Sequence, residues 1–250
     1  MAIVNVSLFV TCLTDNFYPE AGQSLVRVLR RLGCTVEFPK GQTCCGQPQF
    51  NNGFYNEARV LARKMIDIFG DAEVVVSPSG SCAAMVREHF PLLFPDDHAM
   101  HAKAVALGEK TYDFAEFLIK VLKVDLTAMK LRWDGSCTYH YSCHLRGLQV
   151  TPQDTPSLLQ QIPGVDYRPM ERLDVCCGFG GTFAVKFEDI SEAMVFDKVE
   201  CIRRTGAKTV VVNDGGCTMN ISGAAHKAGL DVEFKHIASI LDEAMQNATA

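Results

Sequence analysis

The sequence predicts an α/β fold built from two repeated units, each a parallel sheet flanked by helices, with the units related by pseudo-twofold symmetry. Three observations predict it. Short runs rich in β-branched residues alternate with longer amphipathic stretches, the pattern of parallel sheets covered by helices. Runs such as "AEVVVSP" and "KTVVVND" are apolar on successive residues, so both faces of those strands are expected to be buried. A cysteine framework also occurs twice, its two Cys-Cys-Gly runs offset by 176 − 44 = 132 residues.

The elements follow in order. "IVNVSLFV" reads as the first strand. "EAGQSLVRVLRRLG" is an amphipathic helix that Gly33 ends. "CTVEFP" is the second strand, "GFYNEARVLARKMIDIFG" a helix closed by Gly70, and "AEVVVSP" the third strand. The second unit follows suit. "CTYHYS" is a strand, a helix lies within "TPSLLQQI", and "VDYRPM" is the next strand. The long helix "EDISEAMVFDKVECIRRTG" precedes the strand "KTVVVND". "LDVEFKH" adds a strand and "IASILDEAMQ" the last helix.

The repeat fixes the units as residues 1–132 and 133–250. Upstream of the pairs, Cys12 lies 32 before Cys44 and Cys143 lies 33 before Cys176. Downstream, Cys82 lies 37 after Cys45 and Cys217 lies 40 after Cys177. The tails "YDFAEFL" and "KHIASIL" also match. The first unit is longer between its last cysteine and its tail, 113 − 82 = 31 against 236 − 217 = 19. The surplus near "PLLFPDDHAMHAK" reads as a surface insertion. Cys34, Cys137 and Cys201 fall outside the repeat and are expected to be small buried hydrophobes.

Composition narrows the function. With 250 residues, 48% hydrophobic, the chain can build one large or two small cores. No basic run or stripe suggests nucleic acid, and no apolar run reaches a membrane span. The N-terminus lacks the positively charged start of a secretory signal, so a soluble cytoplasmic protein is expected. Eleven cysteines in such a chain point to metal binding or redox chemistry.

The eight repeated cysteines follow strand ends. Parallel sheets bind ligands at the carboxyl ends of their strands, so each set of four should converge on one site. The sets are Cys12, Cys44, Cys45 and Cys82, and Cys143, Cys176, Cys177 and Cys217. Thiolates suit iron–sulfur clusters, zinc or copper(I). Structural zinc favours two short C-x-x-C knuckles, and neither unit has one. An adjacent pair reaches two irons of a larger cluster more readily than one ion. Gly46, Gly178, Gly180 and Gly181 let backbone N–H groups approach the sulfurs and tune a cluster. Zinc in one or both sites, or a dithiol redox protein, are the alternatives. "GFGGTF" lacks the spacing of a dinucleotide fingerprint.

C-x31-C-C-G-x35-C and C-x32-C-C-G-x38-C resemble the tandem CCG cysteine-rich domains found in heterodisulfide reductase, in the glycolate oxidase iron–sulfur subunit and in the lactate-utilisation protein A family. "TYHYSCHLRGL" and "CCGFGGTFAVK" are most similar to the last. The resemblance spans essentially the whole chain. It implies an iron–sulfur redox subunit of an L-lactate-oxidising system, with one cluster per unit, [4Fe-4S] in type. It further implies a ferredoxin-like iron–sulfur subunit and a third lactate-utilisation subunit as partners, and a small 2-hydroxy acid as substrate. Glycolate or a thiol–disulfide substrate stay open. The fuller family pattern ends each unit in C-x-x-C. Here Ser79 and Asp214 occupy the first of those positions, so four-cysteine ligation, or a labile iron near Asp214, replaces the five-cysteine set.

His140, His144 and Arg146 surround Cys143. An arginine can clamp a substrate carboxylate, and a histidine can act as general base. The other reading places the histidines as strand-end caps or as hydrogen-bond partners of the cluster. His236 starts the last helix where the first unit has Asp113, a natural N-cap; capping explains His236 less well.

Overall fold

Two four-stranded sheets, each parallel throughout, organise the chain. The structure is a computed structural model and describes residues 3–248. Met1, Ala2, Thr249 and Ala250, the outermost residues of the two expected units, lie outside it.

The first sheet holds β1 (Asn5–Leu8), β2 (Thr35–Glu37), β3 (Val74–Ser77) and β4 (Thr111–Asp113) in the order β2-β1-β3-β4. The second holds β5 (Gly135–His140), β6 (Val165–Tyr167), β7 (Thr209–Val212) and β8 (Glu233–His236) in the order β6-β5-β7-β8. The orders correspond strand for strand. Every residue of β3 and β7 is buried, as their unbroken apolar runs require.

Twelve α-helices connect and cover the strands among the described residues. In the first unit they are α1 (Cys12–Phe17), α2 (Pro19–Arg31), α3 (Gln47–Asn51), α4 (Tyr55–Phe69), α5 (Gly80–Ala84), α6 (His98–Glu109) and α7 (Phe114–Glu116). In the second they are α8 (Asp154–Leu159), α9 (Phe183–Lys186), α10 (Glu188–Thr205), α11 (Gly215–Lys227) and α12 (Ile237–Asn247). α4 buries Ala58, Ala62, Met65, Ile66 and Phe69, the stripe expected of a helix laid on a sheet. Pro19 opens α2, where its missing N–H costs nothing. Gly206, at φ 62°, ends α10.

The "PLLFPDDHAMHAK" stretch lies mostly at the surface, as expected of an insertion, but it is anchored to the core. Leu93 and Phe94 are buried, and α6 then packs Ala104 and Leu107 against the same core. The polar "PDDH" between them is the N-terminal cap of α6, where the Asp97 carboxylate accepts from the Met100 N–H at 3.1 Å. Cys34, Cys137 and Cys201 are buried among apolar side chains, as expected.

The units share a core. α12 of the second unit lies along α2 of the first. Reciprocally, Phe117 and Leu118, just beyond α7, join the cluster that contains Leu158 and Leu159 of α8. This exchange of tails is the packing that a pseudo-twofold relation demands. Salt bridges mark both seams: Arg27 to Asp242 at 2.7 Å and Lys120 to Asp154 at 4.0 Å.

Candidate metal centre

The carboxyl ends of both sheets face one cleft. All eight repeated cysteines line it, together with Ser79, Ser142, His144, Gly180, Gly181, Asp214 and Gln47. Its volume is about 250 Å³. The two quartets are thus brought to a common space rather than to opposite edges of the molecule.

Local structure presents each sulfur. Thr11 holds φ at 74°, a left-handed conformation uncommon for a β-branched residue, and so turns the chain sharply from β1 into α1, which Cys12 begins. Cys44 and Cys45 sit in the loop before α3. Gly46 and Gly178, at φ 83° and 81°, close the two Cys-Cys turns in the same left-handed conformation. A Cβ at Gly178 would also meet the Ser191 carbonyl oxygen at 2.8 Å. Glycine is therefore required there twice over. Each glycine N–H approaches the first sulfur of its pair, Gly46 to Cys44 at 3.5 Å and Gly178 to Cys176 at 3.4 Å. Cys82 and Cys217 each stand third in a helix, α5 and α11.

Within each quartet the second member of the adjacent pair touches the last cysteine. Cys45 Sγ lies 3.4 Å from Cys82 Sγ, and Cys177 Sγ lies 3.3 Å from Cys217 Sγ. All eight are free thiols, not disulfides. Cys44 accepts hydrogen bonds from the Cys12 and Cys45 thiols and from the Gly46 N–H, which holds its own thiol far below the usual range. Cys176 is lowered in the same way by Cys143, Cys177 and Gly178. The donors shift upward, Cys12 and Cys143 chiefly through those hydrogen bonds and then through burial. Each quartet therefore favours the thiolate at one cysteine, Cys44 or Cys176, with neighbouring thiols donating to it. Soft anionic sulfurs at this spacing, with backbone N–H groups aimed at one of them, suit a thiolate-bound metal or iron–sulfur group. Binding would release the remaining thiol protons.

The positions where the fuller pattern has cysteine are structural ties. Asp214 Oδ1 accepts from the N–H groups of Gly216 at 3.0 Å and Cys217 at 3.4 Å, capping α11. Its Oδ2 accepts from Ser79 Oγ at 2.9 Å and Ser81 N–H at 3.0 Å, across the unit boundary. Ser79 Oγ in turn caps α5 by accepting from the Cys82 N–H at 3.4 Å. Both Asp214 oxygens are engaged, although the residue lines the cleft.

The histidine and arginine candidates separate. His144 lines the cleft, its Nδ1 3.6 Å from Cys143 Sγ and its Nε2 3.1 Å from the Gln47 amide nitrogen. The amide can only donate, which assigns the ring hydrogen to Nδ1 and directs it at the sulfur. His140 is fully buried, and neither ring nitrogen has a hydrogen-bond partner. Burial holds its imidazole neutral, down to about 3. Arg146 is not part of the cleft wall. Its guanidinium is half-exposed and donates to the Asp174 carbonyl at 2.7 Å and carboxylate at 3.0 Å.

Gln47 is a cleft residue that the sequence does not single out. It follows Cys-Cys-Gly directly, and Phe179 does the same in the second unit; both line the cleft. The repeated position is the available signal.

Comparison with known proteins agrees with this geometry. The family model "CCG: Cysteine-rich domain" matches residues 6–87 and 137–222. The chain is 47% identical over 240 residues to "Lactate utilization protein A" of Shouchella clausii, covering 96% of this chain and 99% of that protein. It is 44% identical over 239 residues to the proteins of the same name from Bacillus licheniformis and Bacillus subtilis, again covering 96% of this chain and 99% of each.

Proposed function

This chain belongs to the CCG cysteine-rich family and groups with the lactate utilization protein A relatives, and from that premise we propose that it is an iron–sulfur redox subunit of an L-lactate-oxidising system. The observation that carries the reading is the convergence of both cysteine quartets on one cleft.

The residues divide by role. Cys12, Cys44, Cys45 and Cys82 would hold one group, and Cys143, Cys176, Cys177 and Cys217 the other. Iron–sulfur groups bound there would supply one-electron acceptor and donor capacity. Gly46 and Gly178 offer N–H groups to Cys44 and Cys176, which stabilises negative charge on those sulfurs. His144 offers Nδ1–H to Cys143 and is held in that tautomer by Gln47 from the other unit. Ser79 and Asp214 lock the two walls of the cleft together. The chain displays no flavin or nicotinamide fingerprint, so it works with partner subunits, one of them ferredoxin-like, in taking lactate to pyruvate. No helix among the described residues is long and apolar enough to cross a membrane.

The test is optical. Anaerobic extract containing the partner subunits is supplemented with the purified chain, and L-lactate is added. The reading expects L-lactate to bleach the visible absorption of the chain, and glycolate to do so far less. Equal bleaching by glycolate would move the substrate, and no bleaching by either acid would overturn the redox assignment.

A further inference from the structure

His140 and Phe9 occupy the same place in the two units. Each lies three residues before the first repeated cysteine of its unit, Phe9 directly after β1 and His140 at the end of β5. The register agrees, since Leu8 pairs with Val76 as Tyr139 pairs with Val211, one residue before Phe9 and His140 respectively. Phe9 is fully buried in the apolar cluster that contains Cys45 and Cys82. In the second unit the corresponding trio is His140, Cys177 and Cys217, all buried, with their ligand atoms within 4.8 Å of one another. One unit places a phenyl ring in the apolar cluster of its paired sulfurs; the other places an imidazole within reach of them.

The imidazole is not otherwise used. Both ring nitrogens are buried without a partner. Leaving a buried polar atom without a partner is destabilising, and the phenylalanine at the same place in the first unit avoids that cost altogether. A neutral imidazole offers one lone pair, which is what a metal takes. Asp214, by contrast, has both oxygens engaged by hydrogen bonds. Both His140 ring nitrogens, unlike the Asp214 oxygens, are free of hydrogen bonds.

We infer that His140 is a nitrogen ligand of the second unit's thiolate site, so that the two sites are chemically unequal. The first is all-sulfur and walled by Phe9. The second is mixed sulfur and nitrogen. The ligand set tunes the potential of an iron–sulfur group, so the two sites are expected to differ in potential. This rests on the iron–sulfur reading above.

The test is pulsed electron paramagnetic resonance of the reduced full-length chain, purified anaerobically with ¹⁵N-labelled histidine, alongside a redox titration. The inference expects a strong ¹⁵N coupling of a directly bound imidazole and two resolved potentials. His140→Phe, which copies the first unit, should lose the coupling and shift the potential of the second site towards that of the first, or lose that group's iron. His140→Cys should lose the coupling while retaining iron, which separates a ligand from a packing role and serves if the phenylalanine variant does not fold. Iron and sulfide present with no coupling, or with only the weak coupling of a hydrogen-bonded ring, would overturn the inference and leave the proposed function standing. Absence of iron and sulfide from the unmodified chain would overturn both.

Discussion

Cys177 shows what a single residue does here. Its sulfur is buried, lies 3.3 Å from Cys217, and hydrogen-bonds to the adjacent Cys176. Serine at this position keeps the size and loses the soft ligand. Cys177→Ser should therefore remove the iron of the second site and leave that of the first, read as a halving of iron and acid-labile sulfide per chain. Unchanged iron would show that Cys177 is not a ligand. The cysteines are legible because a repeat filters eight from eleven without any structure. Asp214 is not. Its position hints at a ligand, but its role depends on Ser79 and Ser81 arriving from 135 and 133 residues away. His140 is legible as a candidate, yet its orphaned nitrogens and its match to Phe9 need the packed core.

At the scale of elements, the long helices and buried strands are readable from periodicity. Several of the short ones are not. β4 has three residues, and α3, α5, α7 and α9 have between three and five. Segments this short carry no periodic signal and form because the sheet and the cysteine turns hold them. α11 escapes the sequence pattern because "GGCTMNISGAAHK" is rich in glycine and small residues, and its start depends on the Asp214 cap.

Helix caps also make a prediction. Asp113 caps α7 and His236 caps α12, at matching places in the two units. His236 Nδ1 accepts from the Ala238 N–H at 3.1 Å, leaving Nε2–H to donate to the Pro78 carbonyl at 2.9 Å. Capping therefore does explain His236, through its ring nitrogen. Both caps are held neutral, Asp113 fully buried and His236 partly so, with opposite consequences. Burial, then the nearby Glu116 charge, push Asp113 up from 3.8 to about 8. The folded state holds that proton after the unfolded chain has lost it, so this contribution is full below pH ~4 and is lost as pH rises towards ~8. Burial pulls His236 down from 6.5 to about 4. The unfolded chain takes up that proton first, so this contribution is present above pH ~6.5 and is lost as pH falls towards ~4. Urea titrations across pH should show Asp113→Asn, which retains the cap acceptor, flattening the decline between pH ~4 and ~8 by on the order of a few kcal/mol. An unaltered slope would mean that Asp113 is ionised in the fold.

At the scale of the molecule, the tails of the two units are exchanged across a common core, and the Ser79–Asp214 hydrogen bond joins the units at the cleft itself. The sequence repeat and strand order are enough to anticipate two sites at sheet edges. That both sites open into one cleft depends on how the sheets face each other, which no local pattern encodes. The shared cleft is the centre of the account, and metal content tests it most directly. Iron, zinc and acid-labile sulfide should be measured on the anaerobically purified chain together with its visible spectrum. The account predicts iron and sulfide in near-equal amounts, divided between two sites, with absorption that bleaches on dithionite. Zinc without sulfide, or a spectrum empty above the protein band, would contradict it.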